Sequence, residues 1–178
     1  DRIAAANKPP SVTPVTSRSF VKNWTLEDLA PALEQGLKDT RDLENGRMLF
    51  TATACIACHN FQGEGGLSGP DLTSAGGRYS PHDLLDNILN PSKVINEQYG
   101  LLIYSMKDGS KLTGRTVNMV GNQLIIATNP MDPGGKSRVK KNTIESISPA
   151  PVSFMPPGLL NTLTQDDILD LLAYLASQ

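Results

Sequence analysis

The sequence predicts a mainly α fold interrupted by one small antiparallel β insertion, and three observations predict it. Apolar residues recur at helical spacing within 25–37, 43–53, 80–89 and 164–175. Between about 99 and 148 the pattern changes to short β-type runs, with turn residues every ten or so positions. The only two cysteines, Cys55 and Cys58, fall directly after the second helical segment.

Residues 1–23 are rich in Pro, Ser and Thr without periodicity and read as a linker or extended arm. That leaves 24–178 as a single domain. Thr25 offers a hydroxyl cap, with Glu27 and Asp28 in the first turn behind it. Leu26, Leu29, Leu33 and Leu37 share one face, and Pro31 predicts a short turn followed by a helix beginning near it. In the second segment Gly46 and Phe50 lie one turn apart on one face. A mid-helix glycine costs about 1 kcal/mol relative to alanine, a cost that a close helix crossing would explain.

Ser80-Pro-His-Asp83 marks the start of a third helix, with cap, proline and acid in the expected order. Leu84, Leu85, Ile88 and Leu89 form its stripe, and Asn90-Pro91 stops it. His82, in the first turn, reads as a surface residue. Strand-like runs follow at 101–106, 111–119, 123–128, 137–140 and 143–147, predicting a meander. An irregular stretch carries Phe154-Met155-Pro156-Pro157. The last helix starts at Thr164, with a capping box to Asp167 and a face of Ile168, Leu171, Leu172 and Leu175.

Composition narrows the function. At 178 residues the chain forms one domain with an ordinary core. Sixteen basic against eighteen acidic residues argue against a nucleic-acid partner, which would select a basic face. No apolar run approaches a membrane span. Aromatic content is 5 %, which suits a core partly filled by a cofactor. The chain begins at Asp1 without a charged-then-apolar leader, so the expectation is a processed product or excised domain.

Cys55-Ile-Ala-Cys58-His59 is the attachment sequence for one covalently bound c-type haem, with His59 as the proximal ligand. Three other readings compete. Adding His82 gives a Cys₂His₂ set, but zinc fingers space their histidines a few residues apart. A thioredoxin-like pair wants a neighbouring βαβ pattern, which is absent from the sequence. A simple disulfide suits an oxidising compartment. Downstream, the Pro70 carbonyl is a candidate acceptor for His59 Nδ1–H, against the reading of 62–72 as a plain glycine-rich surface loop.

A second axial ligand would come from a methionine. Met48 shares the helix that runs into the motif, Met106 and Met119 lie in strands, and Met131 lies in a polar loop. Met155, in a proline-braced apolar loop, is the candidate, with core gap-filling as the alternative. Arg78, Tyr79 and Trp24 are candidates to contact haem propionates.

Taken in order, Gly46 and Phe50, the cysteine–histidine motif, Gly69-Pro70-Asp-Leu72, Met155-Pro156, then Leu171 and Tyr174 resemble the class I c-type cytochromes. The resemblance implies a cytochrome c helical core in which Gly46 and Phe50 pack against Leu171 and Tyr174, with the β insertion placed before the methionine loop. Asn90-Pro91-Ser92, Asp108-Gly109 with Gly114, and Met155-Pro-Pro-Gly158-Leu159 further resemble the Pirellula/Verrucomicrobium-type haem-binding domain. That family implies an exported, periplasmic setting and a redox partner protein or fused dehydrogenase domain, with 1–23 as the tether. The expected function is non-enzymatic carriage of single electrons. A haem protein with an open distal site, acting as gas or peroxide sensor or enzyme, is the alternative. A haem-free binding module with a disulfide is the third reading.

Overall fold

Thr25 closes the first helix by reciprocal capping: its side chain accepts from the Asp28 amide, and the Asp28 carboxylate accepts from the Thr25 amide. A computed structural model describes residues 18–37, 39–129, 132 and 134–177 of the chain. Residues 1–17 of the expected arm, and Met131, lie outside the described residues. Helix α1 (Leu26–Gly36) runs straight through Pro31, so the predicted turn before that residue is corrected. The capping box fixes the start upstream, and Leu29 and Leu33 are buried on the core side. Those terms outweigh the one backbone hydrogen bond that proline removes. Residues 18–23, the last stretch of the expected arm, are tied down. The amides of Val21 and Lys22 donate to the Asn161 carbonyl, and Arg18 pairs with Asp167 at 3.0 Å.

Helix α2 (Leu43–Ala52) is capped by Asp42, and α3 (Cys55–Cys58) follows after a two-residue turn. A hairpin of two-residue strands comes next, β1 (Asn60–Phe61) and β2 (Glu64–Gly65), then a one-turn helix α4 (Ala75–Arg78). Neither was expected. Helix α5 (Pro81–Leu89) has the predicted cap, with Ser80 accepting from the Asp83 amide. Helix α6 (Gln165–Leu175) carries the predicted capping box between Thr164 and Asp167.

The helical core forms where α6 crosses α2. A β-carbon on Gly46 would lie 2.3 Å from the Asp170 carbonyl oxygen and 2.6 Å from Tyr174 Cβ, so the crossing needs glycine there. Phe50, Phe61 and Tyr174 pack as a tilted aromatic trio, with the Phe61 and Tyr174 ring centres 4.7 Å apart. At the same crossing the buried Asp170 carboxylate accepts from the Asp42 amide and from Asn45 Nδ2, and faces Arg41 Nε at 3.5 Å.

The strand unit comprises β3 (Leu102–Met106), β4 (Lys111–Val120), β5 (Gln123–Ala127), β6 (Lys136–Lys140) and β7 (Ile144–Pro149). The expected meander is corrected in one respect: the order is β6-β5-β4-β3-β7, all antiparallel, so the last strand returns to the far edge of the first. Only the 3₁₀ turn Lys141–Thr143 joins the two edge strands, so the sheet must curl until its edges share a corner. Irregularities in β4 after Thr116 and in β3 after Ser105 supply the bend. Tyr104, Met106, Leu124 and Ile126 fill the interior as a core of their own. Tyr104 OH reaches Thr116 Oγ1 at 2.6 Å, so the buried ring keeps a polar partner. With 35 % helix and 22 % strand, the expectation of a mainly α fold holds only loosely, because the insertion is a second packed layer.

Replacing Gly46 with valine should lower stability by about 2–3 kcal/mol through overpacking at the crossing. Denaturant unfolding checks this, and an unchanged midpoint would show that the two helices can separate freely.

Candidate functional site

The site is built on a change of direction after α2. Thr53 ends that helix, its amide and hydroxyl both donating to the Leu49 carbonyl. Ala54 then adopts a left-handed conformation at φ 61°, a strained choice for a residue with a β-carbon. The turn starts α3 at Cys55. Cys55 and Cys58 are three apart on one helical turn and so share a face. Both are free thiols, Cys55 buried and Cys58 half-buried. Burial pushes the Cys55 thiol up, and the Thr53 hydroxyl, 3.2 Å from its sulfur, offsets part of that rise.

His59 leaves α3 in an extended conformation, its amide donating to the Cys55 carbonyl. Its Nδ1 lies 2.8 Å from the Pro70 carbonyl oxygen. That acceptor assigns the ring proton to Nδ1 and leaves Nε2 with a lone pair and no protein hydrogen bond among the described residues. Burial lowers the His59 pKa from its ordinary 6.5, opposed by the Pro70 hydrogen bond, which favours the charged form. The ring is therefore neutral at neutral pH, the form able to ligate a metal.

The glycine-rich loop 62–72 is shaped around this segment. A β-carbon on Gly69 would lie 2.8–3.2 Å from three atoms of the His59 ring. One on Gly65 would meet the His59 carbonyl oxygen, and one on Gly66 the Ala57 carbonyl oxygen. The amides of Gly66 and Gly69 donate to the Ile56 and Cys58 carbonyls. The loop backbone thus lies directly on the motif, a closeness only glycine permits. Reading 62–72 as a plain surface loop misses that contact.

The other expected residues are placed differently. No hydrogen bond joins Met155 to this set. It is half-buried on the loop after β7, its amide donating to Ser153 Oγ, while the Ser153 amide donates to Ser92 Oγ. Arg78 and Tyr79 are exposed at the end of α4, with Arg78 Nη2 reaching the Asp71 carbonyl at 3.5 Å. Trp24 commits its indole N–H to the Leu163 carbonyl at 3.0 Å and lines a shallow cleft with Leu89, Pro157 and Asn161. That cleft does not include the cysteines or His59. His82 is exposed on α5 and joins no cluster. Among the described residues no three His, Cys, Asp or Glu side chains converge to hold a metal ion, so the four-ligand zinc set does not form.

Three residues near the site escaped the sequence reading. Phe61 shows only as an apolar residue two positions after His59. Asp170 sits in a helix buried nearly all round, so an acid within that run was the available signal. Arg115, whose Nη1 donates to the Ser68 carbonyl at 2.7 Å, has no local signal, because its partner lies 47 positions upstream.

Residues 43–114 match the Cytochrome c family model, which supports a c-type cytochrome. The match runs from α2 into β4 and stops before the Met155 loop and α6. No curated protein matches the chain. A Cytochrome c domain binds covalently attached haem c and is generally an electron carrier, and one haem suits a domain of this size. The residues present fit that group: two free thiols on one helical turn and a neutral imidazole whose Nδ1 is already engaged.

Because burial disfavours the imidazolium, acid should displace His59 from iron only below pH 6.5, the ordinary imidazole value. A pH titration of the haem spectrum checks this. Loss of the native spectrum at or above that pH would contradict the neutral, Nδ1-bonded ring.

Proposed function

We propose that residues 24–178 act as one electron-carrying domain that would hold a single haem c, with Cys55 and Cys58 as its thioether anchors and His59 Nε2 and the Met155 sulfur as the ligands offered to its iron. The observation that carries this reading is the His59 ring itself. With Nδ1 held by the Pro70 carbonyl, the imidazole has one nitrogen to offer and one orientation in which to offer it. When bound, the haem supplies an iron that changes oxidation state by one electron. The residues' task is to keep its ligand geometry nearly constant between the two states.

His59 contributes a neutral, oriented nitrogen, and the glycine loop shields the ring from water. Met155 is supported as the second ligand by its half-buried place on a loop pinned to Ser92. A thioether there favours the reduced state and raises the potential of a carrier. Arg78 and Tyr79, both exposed at the end of α4, would be available to contact the haem propionates.

The setting follows from the attachment chemistry. Cytochrome c domains are usually secreted or periplasmic, and we place this one there. Its electrons would be exchanged with a redox partner protein or a fused dehydrogenase domain. The strand unit between Asn90-Pro91-Ser92 and the Met155 loop supports kinship with the Pirellula/Verrucomicrobium-type haem-binding domains. No helix of the described residues is long and apolar enough to cross a membrane.

Met155→Ala should abolish the weak far-red band of sulfur-ligated ferric haem, lower the midpoint potential and let carbon monoxide bind the reduced protein promptly. Visible spectroscopy and potentiometry on matured protein check all three. An unchanged far-red band would remove Met155 from the site. Prompt carbon monoxide binding by the unaltered protein would favour the open-site alternative.

A further inference from the structure

We propose that Arg115 is a positioning residue for His59, through which the strand unit holds the loop that aims the imidazole. The proposal rests on the reading of His59 as the iron's ligand. Arg115 projects from β4, opposite Ala127 of β5, and its Nη1 donates to the Ser68 carbonyl at 2.7 Å. The Ser68 carbonyl and the Gly69 amide belong to the same peptide group. That amide donates to the Cys58 carbonyl at 2.7 Å. One peptide plane is therefore gripped at both poles, by the strand unit on its oxygen and by the haem-attachment helix on its nitrogen.

What that plane controls is immediate. Gly69 lies against the His59 ring, and the next carbonyl along, that of Pro70, accepts from His59 Nδ1. A rotation of the Ser68–Gly69 peptide would carry both contacts with it. Proline at 70 has a fixed φ, which removes one of the torsions that could absorb such motion before it reaches the Pro70 carbonyl.

The choice of side chain fits the task. A guanidinium donates a charge-assisted hydrogen bond, roughly twice as strong as a neutral one. Arg115 makes none of the ion pairs among the described residues, so no carboxylate competes for its donors. Its other neighbour is the Tyr99 ring, whose centre is 5.6 Å from Cζ, and this fixes the direction of the side chain. Gly114, just before it, is buried, and a β-carbon there would lie 2.5 Å from the Ala127 carbonyl oxygen. Beyond that tight strand contact Arg115 reaches across to the loop.

The test uses the matured holoprotein, comparing Arg115→Ala and Arg115→Lys with Leu124→Ala, which loosens the strand core opposite Met119, away from the Gly114–Arg115 segment. In the unaltered ferric protein the His59 ring protons should show the large paramagnetic shifts of an iron ligand. Their absence there would mean that His59 is not the ligand, a failure of the underlying reading visible before any variant is made. In Arg115→Ala those shifts should move, the midpoint potential should change, and hydrogen exchange at the Gly69 amide should quicken by about tenfold or more, as expected for loss of a hydrogen bond to a charged donor. Lysine should restore part of each effect. The proposal is overturned if Arg115→Ala leaves the ring shifts and Gly69 exchange unchanged. It is equally overturned if Leu124→Ala moves them as far.

Discussion

The hydrogen bond between His59 Nδ1 and the Pro70 carbonyl is the constraint on which the rest of the site depends. To make it, the chain must double back onto itself within eleven residues and lie against the ring. That path is possible only with glycine at 65, 66 and 69, where a β-carbon would collide with backbone or imidazole. The path also needs an anchor. Phe61, two residues after His59, supplies it by burying its ring against Tyr174 of α6 and Phe50 of α2. The local geometry of one imidazole therefore draws on the packing of α2 against α6.

Electrostatics at the two ends of this core are settled in different ways. At His59, burial and the Pro70 hydrogen bond pull the proton equilibrium in opposite directions, and burial wins, so the ring stays neutral. At the helix crossing, a buried carboxylate is kept. An unpaired charge in that position would cost several kcal/mol. Asp170 is instead met by the Asp42 amide, the Asn45 amide group and the Arg41 guanidinium, all from α2 or the residues leading into it. Those partners join α6 to the start of α2, while Gly46 one turn later sets how close the two helices come. The depth of the aromatic trio follows from both.

Much of this was legible in the sequence. The capping residues Thr25, Ser80 and Thr164, and the Gly46–Phe50 spacing, carry local rules that tertiary packing did not override. The strand runs were placed to within a residue or two, because alternation and turn residues are also local. What could not be read were the long-range terms. Pro31 was expected to block a helix that the upstream capping box had already started. The return of β7 to β3 has no marker in either strand, since the pairing is fixed by the curl of the sheet. Arg115 resembles any surface arginine until the fold brings Ser68 to it. For the site, the motif and the Pro70 carbonyl were visible as spacing, whereas the need for Gly69 appears only once the loop is seen against the ring.

The strand unit leaves and rejoins the helical core at adjacent points. The Ala150 amide donates to the Leu101 carbonyl at 2.9 Å, and both residues are buried. Between them β7 runs antiparallel to β3, so the insertion is closed at its own base. A loop whose ends already meet adds little closure entropy to the chain around it. The backbone after Pro91 and the backbone before Met155 therefore run on from adjacent points. The Ser153 amide bonded to Ser92 Oγ is the trace of that continuity. The inserted layer thus reaches the site by a route other than stretching the core, and the side chain it sends is Arg115.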